Sequence, residues 1–200
     1  MLKKGSLYDY YNSYDENGNV IEGSGKAYVE GLILDIRNKY SGRDAAVNSA
    51  LAILQLAADK GIKIDYERTT DVASGVDCNP FVSWCVDKGV DTGFQWRPVQ
   101  SFQKVGTEIK RDDWGTAKPG DLLSSEGHII IIVENDPERE VFTVAHAAGT
   151  NVGIVLEEKP YSKMGKYSLR DMTEVYNGEE NTDRWNSFSK YVDPNTFERN

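Results

Sequence analysis

His128-Ile-Ile-Ile-Ile-Val-Glu-Asn-Asp-Pro-Glu-Arg-Glu-Val-Phe-Thr-Val-Ala-His146 decides the fold. Two β-branched runs flank Asn135-Asp-Pro-Glu-Arg139, which has the composition of a hairpin loop. Ile129 to Val133 has no polar interruption, so the first strand is expected to be central and covered on both faces. Paired residues in an antiparallel hairpin keep a constant index sum. A loop centred on Pro137 therefore pairs Ile130 with Val144, Ile132 with Phe142 and Glu134 with Glu140. The same register sets His128 opposite His146, with Cβ atoms about 4.5–5.5 Å apart, or up to about 8 Å after a diagonal slip. These are the only two histidines in the chain, so the hairpin gathers all of its imidazoles at one point.

Working outward, Pro119-Gly120 opens the strand-rich half, with strands expected at Asp121–Ser124, His128–Glu134, Glu140–Ala147 and Val152–Leu156. Upstream, Val47, Ala50, Leu51, Leu54 and Ala58 recur at helical spacing, which predicts a helix from a capping Asp44 to Lys60, stopped by Gly61. A second helix is predicted from Cys78 to Lys88, capped by Asp77 or Asn79, with Pro80 in its first turn where a missing N–H costs nothing. Helices followed by a meander of strands imply an α+β fold, N-terminal helices packed on a central antiparallel sheet. Residues 1–40 are expected to form an N-terminal extension, 41–177 the main domain and 178–200 a polar peripheral tail. Within the extension, the alternating Tyr8, Tyr10 and Tyr14 and the turn Asp15-Glu-Asn-Gly-Asn19 read as a hairpin or a mobile arm. Val29, Leu32, Ile33 and Ile36 predict a helix over Ala27–Asn38.

At 200 residues the chain is large enough to bury one core without disulfides, and its two cysteines make no framework. Cys85 lies about 10.5 Å along the helix from Cys78, beyond disulfide reach, and reads as a small buried residue beside Phe81 and Val82. A net charge of -9 repels nucleic acid and anionic membranes, and no apolar run approaches the length of a membrane span. Neither partner is expected. Lys3 and Lys4 are followed by a polar, tyrosine-rich stretch, so no signal peptide is recognisable.

Cys78 at a helix N-terminus meets unpaired N–H groups and the positive end of the helix dipole, which favour a thiolate. With His128 as base and His146 as its orienting partner, the three residues have the types of a nucleophilic triad. The expectation is a Cys78 sulfur within about 4 Å of one ring nitrogen of His128, with His146 on the other. The same residues are zinc-ligand types, but no Cys-x-x-Cys or His-x-x-x-His pair presets a site, so neither metal nor cofactor is expected. Trp84, Trp96 and Trp114 read as core or rim packing sooner than as a cleft lining.

Asp77-Cys78-Asn79-Pro80-Phe81-Val82 resembles the Asp-Cys-Ser-Gly-Phe-Val signature of the NlpC and p-sixty peptidases, papain-like cysteine enzymes that cut cell-wall peptides. Further matches follow in order: Tyr66, twelve residues before Cys78; Arg97 to Gln103; Lys118-Pro-Gly-Asp-Leu-Leu123; and His128-Ile-Ile-Ile-Ile-Val133. The third catalytic position of that family falls on His146. Asn79 and Pro80 depart from the usual Ser and Gly, and Glu67-Arg-Thr-Thr70 replaces a Gly-Gly pair. The resemblance spans about residues 44 to 160 and implies a papain-like core. Its implied activity is hydrolysis of peptidoglycan stem peptides at γ-D-glutamyl–diamino acid bonds, with Tyr66 in the oxyanion hole and Asp77 and Asn79 at the substrate amine. The implied place of action is a bacterial cell wall, reached by secretion or by lysis from within, by a bacterial or phage enzyme that is cytoplasmic until then. A wall-targeting domain or an inhibitor outside this chain is compatible with that reading. Two rivals stay open: a CHAP-type amidase or acyltransferase using the same thioester, and a non-catalytic wall-peptide-binding component of a phage or secretion machine.

Overall fold

The computed structural model describes residues 3–4, 6–64, 72–73, 75–90, 102–149 and 152–178. The chain enters through β1 (Lys3–Lys4), which pairs in parallel with β2 (Ile62–Lys63). It then forms α1 (Leu7–Tyr10), whose N-cap Ser6 accepts from the Tyr8 N–H at 3.2 Å. The first tyrosines are thus helical, and the expected hairpin shrinks to a turn held by Asp15 Oδ1 on the Asn17 and Asn19 N–H groups, closed by one bridge between Tyr14 and Val20. Next comes α2 (Ser24–Lys39), longer than the predicted Ala27–Asn38 because Gly23, at φ 75, turns the chain into it three residues earlier. Leu7, Val29 and Ile33 are buried in the same core as the later helices, and Tyr11 donates to the Leu56 carbonyl at 3.1 Å. Residues 6–40 therefore pack on the main body.

Helix α3 (Gly42–Asp59) starts two residues before the predicted Asp44, with Ser41 at the N-cap making no side-chain bond. Asp44 stands instead in the first turn, where its charge meets the helix dipole. Gly61 ends the segment at φ 61, as its position just past the last periodic residue predicts. Helix α4 (Cys78–Val90) follows. Both lie on a sheet of six antiparallel strands among the described residues: β3 (Thr107–Ile109), β4 (Leu122–Ser124), β5 (Ile129–Asp136), β6 (Val141–Ala147), β7 (Ile154–Pro160) and β8 (Ser168–Asp171), in the order β3-β8-β4-β5-β6-β7. The two short strands β3 and β8, polar in sequence, were not among those predicted. The architecture is α+β.

One face of β5 and β6, carrying Ile129, Ile131, Ala145 and Ala147, packs against Phe81, Val82 and Cys85 of α4. The other face, carrying Ile130, Ile132, Phe142 and Val144, meets Trp114, Met164 and Leu169. The apolar run is thus central and covered twice, and Trp114 is a core residue beside Phe142 and Tyr161. Trp96 and the 179–200 tail lie outside the described residues.

The hairpin register differs from the predicted one. Its turn is Pro137–Glu140, closed by the pair Asp136 and Val141, with Asp136 Oδ1 accepting the Arg139 N–H at 3.1 Å and Glu140 at φ 51. Asn135 then faces Phe142 and Glu134 faces Thr143. A bulge between Ile132 and Glu134 shifts the ladder by one, so that Ile132 faces Val144 and Ile131 faces Ala145. Carried one step further, this pairing sets Ile130 across from His146 and makes His128 its diagonal neighbour. The bulge decides the site: without it, the turn's register would have sent the two imidazoles to opposite faces.

Candidate active site

Helix α4 begins at Cys78 because Asp77 caps it, its Oδ1 accepting the Asn79 N–H at 3.0 Å, and Pro80 sits in the first turn. Asp77 thus has the capping role that the sequence offered it. Cys78 is buried, 3% exposed, and its Sγ lies 3.7 Å from Asn79 Oδ1 and 4.0 Å from the Gly127 carbonyl oxygen. Neither of these partners is the expected base: no hydrogen bond joins Cys78 Sγ to a nitrogen of His128. The expected thiolate is also corrected. Burial pushes the Cys78 thiol up and Asp77 adds to it, outweighing the backbone N–H groups of Ile129, Cys78 and Asn79. A neutral thiol donates, and the acceptors at hand are the Asn79 amide and the carbonyl just before His128.

The imidazoles do meet. His128 Nε2 lies 2.8 Å from His146 Nδ1, with ring centroids 4.9 Å apart, edge to face. Ala145 and Ala147, which flank His146, face the α4 side of the sheet, so His146 points to the other. Cys78 Sγ reaches the start of β5 at the Gly127 carbonyl oxygen, one residue before His128. His128 Nδ1 carries no hydrogen bond among the described residues.

Sequence reasoning missed the next link. His146 Nε2 lies 2.6 Å from Glu157 Oε1, and Lys159 Nζ lies 2.8 Å from the same oxygen. On β7, Glu157 pairs with Val144 and Val155 with His146, which places the carboxylate diagonally across from the imidazole. Tyr167, also missed, stands edge-on to His128 with centroids 6.5 Å apart. Tyr66 lies outside the described residues. Cys85 is fully buried, and burial pushes its thiol far up. His128 Nε2 and His146 Nδ1 face each other and not a common point, and no three His, Cys, Asp or Glu side chains among the described residues converge as ligands.

Burial, then the neighbouring His146 and Lys159, pull His128 down to about 4, against the opposing pull of Glu157. Burial likewise lowers His146 in spite of Glu157. Partial burial would raise the Glu157 carboxyl, but hydrogen bonds from Lys159 and His146 hold it below its ordinary value. Both rings are therefore neutral at neutral pH. Between about 4 and the ordinary 6.5, the unfolded chain binds a proton at His128 that the folded protein does not. This stability is present above 6.5 and lost as pH falls toward 4. Urea unfolding at a series of pH values is expected to show the wild type losing more stability over that window than His128→Gln; equal slopes would contradict it.

Set against known proteins, the chain matches no family model and no curated protein.

Proposed function

We propose that the protein is a papain-like cysteine peptidase or amidase that hydrolyses amide bonds of peptidoglycan stem peptides. The observation that carries this reading is the site at the start of β5. There Cys78 Sγ, at the start of α4, lies 4.0 Å from the Gly127 carbonyl oxygen. The next residue, His128, is hydrogen-bonded to His146 through Nε2 and has no hydrogen bond at Nδ1 among the described residues. The ordered resemblance to the NlpC and p-sixty peptidases supports it and names the γ-D-glutamyl–diamino acid bond as the target.

In the reaction, His128 Nδ1 takes the Cys78 proton as sulfur attacks the carbonyl carbon, and a C–S bond forms. The oxyanion rests on the Cys78 backbone N–H, which in the first turn of α4 has no helical carbonyl to serve. His128 returns the proton to the leaving nitrogen and the C–N bond breaks. Water then attacks the thioester, giving one proton to His128 and its hydroxyl to the acyl carbon; the C–S bond breaks and the sulfur recovers its proton. A neutral thiol and a neutral imidazole suit this sequence, since proton transfer accompanies attack.

Mass spectrometry of defined muropeptides after incubation with variants tests the assignment. His128→Ala is expected to reduce cleavage to background, because the base and the acid are one group. His146→Gln is expected to be milder, with a loss of about 10- to 100-fold, as befits a residue that orients the base. Undiminished cleavage by His128→Ala would remove the imidazole from the mechanism. A wild type that binds muropeptides without cutting them would favour a wall-peptide-binding component instead.

A further inference from the structure

The proton positions in the site follow from the far end of its hydrogen-bond chain. A carboxylate only accepts, and Glu157 Oε1 takes two donors, Lys159 Nζ at 2.8 Å and His146 Nε2 at 2.6 Å. His146 Nε2 therefore holds a hydrogen. A neutral imidazole has one N–H, so His146 Nδ1 is a bare lone pair, and His128 Nε2, 2.8 Å away, must donate to it. By the same rule His128 Nδ1 is bare.

We propose that Glu157, fixed by Lys159, is a positioning residue that sets the tautomers of both histidines and so keeps His128 Nδ1 available as the acceptor of the Cys78 proton. This deepens the peptidase reading and rests on it for the catalytic consequence alone. Without the carboxylate, the reversed chain is equally well bonded: His146 Nδ1 donates to His128 Nε2, and His128 carries its hydrogen on Nδ1. In that form the base is blocked. Lys159 supplies the polarity. Because its ammonium touches the same oxygen that His146 does, an amide placed at 157 must also turn its oxygen toward both, its NH₂ group being repelled there.

Histidine labelled with nitrogen-15 in the full chain, observed at neutral pH by long-range proton–nitrogen correlation, reads the tautomers directly. In the wild type both histidines are expected to be protonated on Nε2. Glu157→Gln is expected to keep that pattern, whereas Glu157→Ala, and Glu157→Gln combined with Lys159→Met, lose it to a mixture or to the reversed form. Glu157 is 39% exposed, so its replacement opens no buried hole. On stem peptides, Glu157→Ala is expected to lower kcat by about 10- to 100-fold with KM little changed, and Glu157→Gln to recover most of that loss. A wild type protonated on His128 Nδ1, tautomers indifferent to Glu157→Ala, or an undiminished kcat in Glu157→Ala would each overturn the inference. Tautomers as expected in a protein that cuts no stem peptide would overturn the peptidase reading and leave the proton chain standing.

Discussion

Cys78→Ala is expected to abolish amide cleavage, a fall on the order of 10⁴-fold or more, while stability shifts by no more than about 1 kcal/mol. The substitution deletes one sulfur from a buried site, and that sulfur makes only long contacts with Asn79 Oδ1 and the Gly127 carbonyl. Little packing is lost; the nucleophile is. Cys85→Ala is the matched control. Cys85 is fully buried among the α4 side of the core, so its loss is expected to cost about 1 kcal/mol in cavity and transfer terms and to leave cleavage within about twofold. Paired urea unfolding and cleavage assays separate the two, and a reversed pattern would move the chemistry to Cys85.

Arg43→Ala is expected to have the largest effect on folding, a loss of about 3 kcal/mol in urea unfolding. Arg43 Nη1 donates to Asp121 Oδ1 at 2.7 Å and the Pro119 carbonyl at 2.9 Å; Nη2 donates to Asp171 Oδ1 at 2.8 Å and Thr173 Oγ1 at 2.6 Å. One side chain on α3 thus ties together the entry to β4 and the exit from β8. Asp121 is fully buried and also receives the Lys118 and Met172 N–H groups at 2.8 and 2.9 Å. Removing the guanidinium leaves that carboxylate in the core without its counter-charge. Arg43→Lys is expected to recover part of the loss, since a single ammonium cannot bridge two carboxylates as a planar fork does. A cost below about 1 kcal/mol for Arg43→Ala would show that the clamp is not what joins α3 to the sheet.

The sequence made some elements legible and hid others for physical reasons. Ile129 to Ile132 announced a strand covered on both faces, and the start of α4 was readable from Asp77 and Pro80, because caps act locally. The end of α4 lies at Val90, past the expected Lys88, with Gly89 inside the helix. The meeting of His128 with His146 was anticipated, although through a register that the structure corrects. The four-residue turn and the bulge at Val133 each change the pairing, and an unbroken apolar run carries no mark of where a bulge falls. Glu157 escaped notice because Glu157-Glu158-Lys159 looks like a solvated end to a strand expected to stop at Leu156. Only the β6–β7 register, a long-range property, brings that carboxylate to His146. The thiolate expected of Cys78 followed from the helix end alone; burial, which sequence does not show, prevails over it.

The central claim, that Cys78 cleaves an amide of stem peptides by way of a thioester, is tested most directly by mass spectrometry of a defined muropeptide incubated with the wild type in heavy-oxygen water. The account predicts two fragments, one ending in a free amine and the other in a new carboxylate with one heavy oxygen, neither of which forms with Cys78→Ala. An intact muropeptide after incubation with the wild type, or the same fragments from Cys78→Ala, would contradict it.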